Sequence, residues 1–491
     1  MKRIIYTVFL FVSVVFFNSC GFSSGNSTSE DIIIGEVVDV EKITIEKTNL
    51  DIPTLVLIMN WNDYSETDIE LWYDKFFANS GSVNAWYKNN TETGVNLVPV
   101  REQQGVQDDG IIAVPMNVNH PDYDWSATVK KYNCDIQGKN CTDDAYDNFR
   151  RIYINSAIKS TIVDNSIDFS IFDKNGDNII SHTELQIIFI VSGGEAAYGD
   201  VQSKSVWAHA FYFEREAPIV DNVTLMDFST DKLELGSYAI FGATHGIDTI
   251  SEHKATIGII THEMGHSLYD LVDLYDIDLQ DDSFDGTGSG IGSYGIMSSG
   301  TWGRVNSSQY AGSAPSQFSA FSKIEMANNI SKYLQKASNI SIDCSEKEVI
   351  KLKTENINEY FLLECRDTQR SDSDKSFICL PTYDVNACAS NGFSDNLLFA
   401  TIYHVDEDKE LNNESATQTA SHHYKVRLVE KDMSQLMTNR DGIYAEFADV
   451  FTTGDFVDES KIRSYSGDTG YYIDVLSSDY NHRTMTFRIT Q

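Results

Sequence analysis

Two histidines and a glutamate near the middle of this chain of 491 residues have the spacing of a catalytic metal site. His262, Glu263 and His266 form an H-E-x-x-H pattern. Residues four apart on a helix project from one face, so both imidazoles can bind the same metal ion. Glu263 lies beside them, where it can take a proton from a metal-bound water. The pattern predicts a zinc-dependent hydrolase in which Glu263 is the general base.

These residues can act together only if a helix that is fixed in the core carries them. Apolar residues recur at helical spacing through the motif, at Ile257, Ile260, Met264 and Leu268. We therefore expect an amphipathic helix near residues 255–269 that buries one face and presents both histidines.

The third zinc ligand is expected among the aspartates that follow this helix, Asp270, Asp273 and Asp276. A catalytic zinc usually takes three protein ligands and leaves the fourth position open to water. Asp270 is close enough to His266 to be still helical, which would place it too near along the same helix. Asp273 is far enough along for the chain to turn back beneath the metal. Spacing thus favours Asp273, while at least one of the three is expected to be an ordinary solvated residue.

A methionine follows in a segment rich in glycine and serine, residues 293–303. Met297 lies about thirty residues after the zinc helix, in the order expected of the methionine turn beneath the metal of metzincin-type peptidases. Its position supports the zinc prediction.

These segments resemble the immune inhibitor A family of bacterial zinc metallopeptidases. The family pattern is close to HExGHxLxGLPDLYD, and it also has segments close to D-x-N-G-D, W-x-H, IMSSGxW, S-A-x-S-K, FLLENR and IWHVDE. The similar segments here are residues 262–276, 173–177, 207–209, 296–302, 319–323, 360–366 and 402–407. The resemblance runs from about residue 55 to about residue 456 and implies a metzincin-like peptidase that binds zinc.

Two departures from the family pattern fall in the loop after the zinc helix. The family's glycine is Asp270 here and its proline is Val272. Glycine at such a position lets the backbone turn with positive φ, which aspartate adopts less readily. Because the histidines and the glutamate are intact, we expect an active enzyme. A further donor must stabilise the oxyanion of the reaction, and Tyr294, His209 and His245 are candidates.

A second ion-binding pattern precedes the zinc motif, in residues 173–184. It fits the twelve-residue calcium loop, with glutamate at the last position. Its predicted ligands are Asp173, Asn175, Asp177, Ile179 through its carbonyl, Ser181 and Glu184. A β-rich apolar run follows in place of a second helix, so we expect a solitary structural calcium loop. Asp278, Asp281, Asp282 and Asp285 either form another calcium site or an acidic loop.

The N-terminus predicts export. Residues 1–20 combine basic residues, a short apolar run and a small residue before Cys20, as in bacterial lipoprotein signals. Cys20 would then be lipidated and attached to an outer or cell-surface membrane, with ordinary secretion as the alternative. Residues 21–50 are expected to be a tether with room for a short pro-segment.

Cysteine number and charge agree with an exported protein that acts on proteins. The six other cysteines favour disulfides, and the natural pairings are Cys134–Cys141, Cys379–Cys388 and Cys344–Cys365. The net charge is −36, from 37 basic and 73 acidic residues. This charge argues against binding of nucleic acid or anionic lipid through electrostatics.

The whole pattern predicts an α+β protein with a zincin- or metzincin-like catalytic domain and an all-β, sandwich-like C-terminal domain. We expect the catalytic domain at residues 51–340, closed by a helix near 316–335, and the β domain at 341–491. The predicted function is a lipid-anchored or secreted zinc endopeptidase acting on extracellular proteins. Two alternatives are a zinc hydrolase of non-peptide or glycan-linked substrates and a non-catalytic surface binding or adhesion protein.

Overall fold

A computed structural model describes most of the chain after residue 34. The described residues are 35–46, 49–90, 94–121, 150–165, 167–198, 204–212, 217–225, 236–246, 251–276, 290–327, 330–344, 347–376, 379, 393–412, 423–432, 447–458 and 460–491. Several predictions concern residues outside these ranges: the signal segment with Cys20, the cysteines Cys134, Cys141 and Cys388, and the aspartates Asp278, Asp281, Asp282 and Asp285. Within the described part, no helix is both long and apolar enough to span a bilayer.

The described residues form six α-helices and twenty-two strands. The helices are α1 (Ile69–Phe77), α2 (Val83–Asn90), α3 (Asn155–Asn165), α4 (Ile257–Tyr269), α5 (Ala320–Met326) and α6 (Asp372–Lys375). The strands up to the zinc helix are β1 (Asp39–Ile45), β2 (Leu50–Asn60), β3 (Val95–Pro99), β4 (Ile111–Pro115), β5 (Gln186–Glu195), β6 (Ser205–Val206), β7 (His209–Phe211), β8 (Ile219–Val220), β9 (Val223–Thr224), β10 (Tyr238–His245) and β11 (His253–Lys254). The later strands are β12 (Ile330–Lys336), β13 (Ile340–Asp343), β14 (Glu348–Lys353), β15 (Glu359–Asp367), β16 (Leu398–Asp406), β17 (Val426–Leu428), β18 (Phe456–Val457), β19 (Arg463–Ser464), β20 (Gly467–Asp468), β21 (Tyr472–Asp479) and β22 (Thr484–Thr490).

The largest sheet has eight strands and is covered on both faces. Its order is β11-β10-β5-β2-β3, with β4 also paired to β2, β6 to β5 and β7 to β10. β5 is parallel to β2 and β10, and all residues of β5 and β10 are buried. Ile188, Ile190 and Phe241 pack in the cluster that contains α1 and α4. Ile187 and Phe189 belong to a separate cluster with α3, as alternation along a strand between two covered faces requires.

Two antiparallel sheets form the rest of the core. A six-stranded sheet has the order β12-β1-β14-β15-β16-β17, and a four-stranded sheet has the order β13-β22-β21-β18. Phe361 and Leu363 of the first share a hydrophobic cluster with Phe487 of the second. Leu362 and Val405, on the opposite face of the six-stranded sheet, share the cluster that contains α4. The chain is thus a mixed α+β protein with a β-rich C-terminal part.

Two strands of the six-stranded sheet come from segments where we predicted none. β1 lies within the predicted tether, but it pairs with β12 on one side and β14 on the other, and its Ile43 and Ile45 are buried. β12 occupies the end of the predicted helix near 316–335, of which only α5 is helical. Ile330, Tyr333 and Leu334 have helical spacing, yet β12 is a mostly exposed edge strand. The domain boundary at residue 340 stays a prediction.

Most other predicted elements are confirmed. Alternating and apolar runs in the sequence also predict strands at residues 55–59, 111–115, 187–191 and 239–241, and in the C-terminal part at 348–353, 360–364, 397–405, 423–429 and 483–489. The first four fall in β2, β4, β5 and β10, and the helix predicted near 255–269 is α4. The strands expected at 348–353, 360–364, 397–405 and 483–489 lie within a residue of β14, β15, β16 and β22 or inside them. The strand expected at 423–429 is shorter, because β17 covers only Val426–Leu428. Of the predicted disulfides, Cys344–Cys365 is present.

The Cys344–Cys365 disulfide connects the residue that follows β13 to strand β15, and both cysteines are fully buried. Replacing both cysteines by alanine is expected to lower the free energy of unfolding by about 3 kcal/mol, because the bridge closes a loop of roughly twenty residues in the unfolded chain. Denaturant unfolding of the double variant beside the oxidised parent measures this. An unchanged midpoint would contradict the expected contribution.

Candidate metal centre

The two histidines are held by a helix that is buried along nearly its whole length. In α4 the apolar residues Ile260, Met264 and Leu268 are buried in the core, as their spacing predicted. Gly258 lets the start of the helix approach its neighbour closely, because a Cβ there would lie 2.0 Å from the carbonyl oxygen of Thr301. The helix therefore cannot shift without moving the segment that follows the methionine turn.

Three possible ligand atoms from α4 and the following loop converge at one point. The Nε2 atoms of His262 and His266 are 3.2 Å apart. Oδ1 of Asp273 lies 3.1 Å from the first and 3.3 Å from the second. This buried oxygen has no hydrogen-bond donor of suitable geometry among the described residues. The structure thus brings the three predicted zinc ligands together.

The other nitrogen of each imidazole fixes the ring so that Nε2 faces this point. Nδ1 of His262 lies 2.8 Å from the carbonyl oxygen of Ile296, and Nδ1 of His266 lies 2.5 Å from that of Leu271. A carbonyl oxygen can only accept, so each Nδ1 carries the hydrogen and each neutral ring has its lone pair on Nε2.

The distances between the three atoms fit a tetrahedral zinc site. Zinc bonds to imidazole nitrogen and carboxylate oxygen of about 2.0–2.1 Å require ligand atoms about 3.3 Å apart at the corners of a tetrahedron. The observed separations of 3.1, 3.2 and 3.3 Å agree. Two lone pairs and a carboxylate oxygen at this spacing leave the fourth corner for water or substrate.

Asp270 makes the turn that returns the chain to the metal. Its backbone is left-handed, with φ 53° and ψ 31°, and its N–H donates to the carbonyl of His266 at 2.8 Å. The N–H of Leu271 reaches the carbonyl of Gly265 at 3.4 Å. Aspartate is among the residues that enter this region most readily after glycine. Its replacement of the family's glycine therefore preserves the turn and the approach of Asp273.

Met297 lies against the helix between the two histidines. A Cβ at Gly265 would come within 2.6 Å of the Met297 sulfur, so the glycine lets the methionine side chain lie where it does. The carbonyl of Met297 accepts the N–H of Leu274 at 2.7 Å. One methionine thus contacts both the helix and the loop that carry the three ligands.

Burial and mutual charge shift the pKa values of the site. Burial raises the pKa of Glu263, and the two nearby imidazoles oppose the rise. Burial also disfavours protonated His266, but the Asp273 carboxylate outweighs it and raises the pKa of His266 to about 9. The pKa of Asp273 lies well below its usual range, because the histidines overcome the effect of burial. Zinc must therefore displace protons to bind.

The other two candidate aspartates and the three predicted oxyanion donors have surroundings that differ from those of Asp273. Asp270 is exposed at the turn, and Oδ2 of Asp276 accepts a hydrogen bond from Tyr424 at 2.8 Å. Tyr294 donates to Asp449 at 3.1 Å. Nε2 of His209 pairs with the hydroxyl of Tyr238. His245 stacks on Tyr198 with ring centroids 4.4 Å apart.

Sequence reasoning missed two residues near the site. The ring of Tyr275 stacks beside His262 with centroids 6.4 Å apart. Burial and the charges of Asp273 and Glu263 keep the pKa of its hydroxyl well above the usual value, although part of the ring is exposed. The only sequence signal was its position two residues after Asp273.

The second missed residue, Glu195, ends the buried strand β5. Its carboxylate accepts backbone N–H groups of Ala197, Ala208 and Gly242 at 2.8, 3.2 and 2.7 Å. Burial raises the pKa of Glu195 to about 8 despite these bonds, and the charge of Glu263 adds to the rise. Glu195 thus joins β5, β10 and the segment before β7.

The segment that we predicted to be a calcium loop, residues 173–184, is held together by its own hydrogen bonds. The Asp173 carboxylate accepts the N–H groups of residues 176, 177 and 178, and Asn178 has a positive φ of 67°. Glu184 closes the loop by accepting from the N–H of Lys174 at 2.8 Å. The N–H of Ile180 donates to the carbonyl of Thr224 at 3.0 Å. Strand β9 therefore supplies a backbone partner to the loop.

Comparison with known proteins identifies the family. The family model for the catalytic domain of immune inhibitor A peptidase M6 matches residues 54–332, more than half of the chain. The chain therefore belongs to the immune inhibitor A peptidase M6 family, which confirms the family predicted from the sequence.

Two curated relatives are similar over a shorter stretch. Both are the pre-pro-metalloprotease PrtV of Vibrio cholerae serotype O1, from strain M66-2 and strain ATCC 39315 / El Tor Inaba N16961. Each is 29% identical over 166 residues, which cover 32% of this chain and 16% of the relative. The similar region is thus a small part of PrtV.

Replacing the predicted zinc ligand Asp273 should abolish tight zinc binding, whereas the same change at the turn should not. Asp273→Asn removes the carboxylate charge and is expected to weaken zinc binding by more than about 100-fold, since even outer-shell changes cost 10–100-fold. Asp270→Asn is the matched control, because asparagine also adopts the left-handed region. Zinc content after dialysis against a mild chelator measures both. Zinc loss from the Asp270 variant alone would contradict the assignment.

Proposed function

We propose that this chain is a zinc-dependent endopeptidase that hydrolyses peptide bonds of proteins outside the cytoplasm. The observation that carries the proposal is the convergence of His262, His266 and Asp273 at tetrahedral spacing. Glu263, on the same helix, supplies a buried carboxylate next to this point. Membership of the peptidase M6 family supports the reaction class.

Each residue of the site would have its own role in the reaction. His262, His266 and Asp273 would hold a zinc ion, which would lower the pKa of water and polarise the substrate carbonyl. Glu263 accepts the proton of the attacking water and passes it to the leaving amine. Its burial suits this role, because a raised pKa makes a carboxyl a better proton acceptor near neutral pH. Tyr275 is the donor that we propose for the oxyanion, in place of the three candidates predicted from sequence.

We also propose that the protein is exported and anchored through a lipid on Cys20. The support is the signal-like segment at residues 1–20 and the cysteine at its end. The buried Cys344–Cys365 disulfide fits an oxidising compartment. In this proposal the described N-terminal strand β1 follows the anchor and tether directly, so the β-rich part would lie nearest the membrane.

The loop at residues 173–184 is proposed to bind one structural calcium ion. Its ligand pattern, the left-handed Asn178 and the closing position of Glu184 support this reading. Strand β5 follows the loop in place of a second helix. The loop would therefore stabilise the fold and would not act as a paired calcium sensor.

Removing the general base should stop proteolysis without removing zinc. Glu263→Gln keeps the size of the side chain but cannot accept the proton, so kcat/KM on casein is expected to fall by about 10²–10⁴-fold. The measurement is casein cleavage by the purified protein and the variant, with zinc content determined in parallel. A chelator should abolish the parent's activity, and added zinc should restore it.

Other outcomes of that experiment distinguish the alternative functions. Equal cleavage by parent and variant would overturn the role of Glu263. A folded parent that holds one zinc ion but cleaves no protein would favour a non-peptide or glycan-linked substrate. A parent that binds no zinc would leave the non-catalytic binding protein.

Calcium should raise the thermal stability through the predicted loop. At a concentration about 100 times the dissociation constant, calcium is expected to add about 2.7 kcal/mol to the free energy of unfolding. Glu184→Gln should lose most of this gain because it loses the closing carboxylate. Asp168→Asn, which changes a carboxylate that caps the preceding 3-10 turn, is the control. A calcium-dependent shift of the same size in Glu184→Gln would count against the site.

A further inference from the structure

Residues of the C-terminal β-rich part contact the loop that carries Asp273. The side chain of Asn412 is fully buried and its Nδ2 donates to the carbonyl of Leu274 at 3.0 Å. The same amide holds strand β17, because Nδ2 also donates to the carbonyl of Val426 at 2.8 Å and Oδ1 accepts its N–H at 2.9 Å. Asn412 thus fixes Leu274, the neighbour of the third ligand, to the six-stranded sheet.

The loop is held again two residues later. The hydroxyl of Tyr424, a fully buried residue just before β17, donates to Oδ2 of Asp276 at 2.8 Å. On its other side the loop is held by the methionine turn, since the N–H of Leu274 donates to the carbonyl of Met297. Asp273 therefore lies in a short segment whose backbone is tied to both the methionine turn and the β-rich part.

A buried ion network gives the methionine turn a similar support. Arg366 on β15 donates to the carbonyl oxygens of Tyr294 and Phe318 at 2.8 and 3.2 Å. Its charge is balanced by Glu364, 2.7 Å away, which also pairs with Lys323 of α5 at 3.0 Å. All three charged side chains are buried.

This network lies next to the residue that orients a zinc ligand. The carbonyl of Ile296, two residues beyond Tyr294, accepts Nδ1–H of His262, and the N–H of Ile296 donates to the carbonyl of Gln317. The two segments that Arg366 bridges are thus the segments that fix Ile296. Both sides of the metal site are therefore held by residues that follow position 340.

We propose that Asn412 and Tyr424 are positioning residues for Asp273, so that the β-rich part sets the affinity for zinc. The inference rests on the proposed zinc site but goes beyond it, because neither residue contacts the metal-binding atoms. Without these bonds the loop loses its support on the β-rich side, and Oδ1 of Asp273 no longer stays at tetrahedral spacing from the histidines. Residues 51–340 alone would then contain all three ligands but lack the two residues that position Asp273.

The test compares two tyrosines that differ in what their hydroxyls hold. Tyr424→Phe removes the bond to Asp276, whereas Tyr471→Phe removes a bond of similar length, 2.9 Å, to the carbonyl of Lys353. Tyr471 belongs to the cluster on the face of the six-stranded sheet that points away from α4. The two changes remove the same group from the same part of the chain, so they should cost similar stability. Asn412→Leu is the stronger variant.

The measurement is the zinc dissociation constant of the purified full chain, by competition with a chromophoric chelator, together with the melting temperature of the metal-free protein. Tyr424→Phe and Asn412→Leu are expected to weaken zinc binding by about tenfold or more, as outer-shell changes do. Tyr471→Phe should stay within about twofold of the parent. Cobalt substitution adds a second readout, since a displaced carboxylate changes the visible spectrum of the bound ion.

The possible results distinguish the positioning role of Asn412 and Tyr424 from the proposed zinc site itself. Equal zinc affinity in all variants would overturn the positioning role, as would an equal loss in Tyr471→Phe. If Asn412→Leu does not fold, Tyr424→Phe alone decides. A parent that binds no zinc would refute the proposed function itself, which separates that failure from failure of this inference.

Discussion

The arrangement of the whole centre depends on placing three electron-rich atoms about 3.2 Å apart in a buried site. Two imidazole lone pairs and a carboxylate oxygen at this spacing are favourable only if a positive charge lies among them, either protons or a metal ion. The structure fixes them there with backbone carbonyls on both Nδ1 atoms and with a left-handed turn at Asp270. A zinc ion can bind all three atoms at once, whereas a proton can lie between only two of them.

That constraint explains why residues far apart in sequence are buried together. The helix packs closely at two glycines, because an added Cβ would lie 2.0 Å from Thr301 at Gly258 and 2.6 Å from Met297 at Gly265. Arg366 holds the methionine turn by donating to the carbonyl of Tyr294. Its buried charge is balanced by Glu364, which is buried beside it. A pair of charges in such a place is costly to desolvate. We interpret it as the cost of fixing the turn beneath the zinc ligands.

The sequence predicted the parts that depend on local patterns. The helix with its two histidines and the strands rich in β-branched residues follow from spacing and periodicity, and spacing also favoured Asp273 among the three candidate aspartates. β1 and β12 were missed because their structure depends on pairing with each other across nearly three hundred residues. The roles of Asn412, Glu195 and Tyr275 were also out of reach, since single polar residues in loops have no periodicity that marks their partners.

The resemblance to the peptidase family located the motifs but did not explain them. The SAFSK and YFLLECR segments, at residues 319–323 and 360–366, supply Lys323, Glu364 and Arg366, which meet in one buried network. Segments that looked like separate signatures thus form a single support for the metal site. The β-rich part is accordingly not a passive addition to the catalytic fold.

X-ray absorption at the zinc edge, on the purified protein loaded with one equivalent of zinc, identifies the atoms bound to the metal. We expect a first shell of nitrogen and oxygen only, at about 2.0–2.1 Å, with outer-shell scattering from two imidazoles. Sulfur at about 2.3 Å, or a shell without imidazole scattering, would contradict the assignment of His262, His266 and Asp273 as the metal ligands.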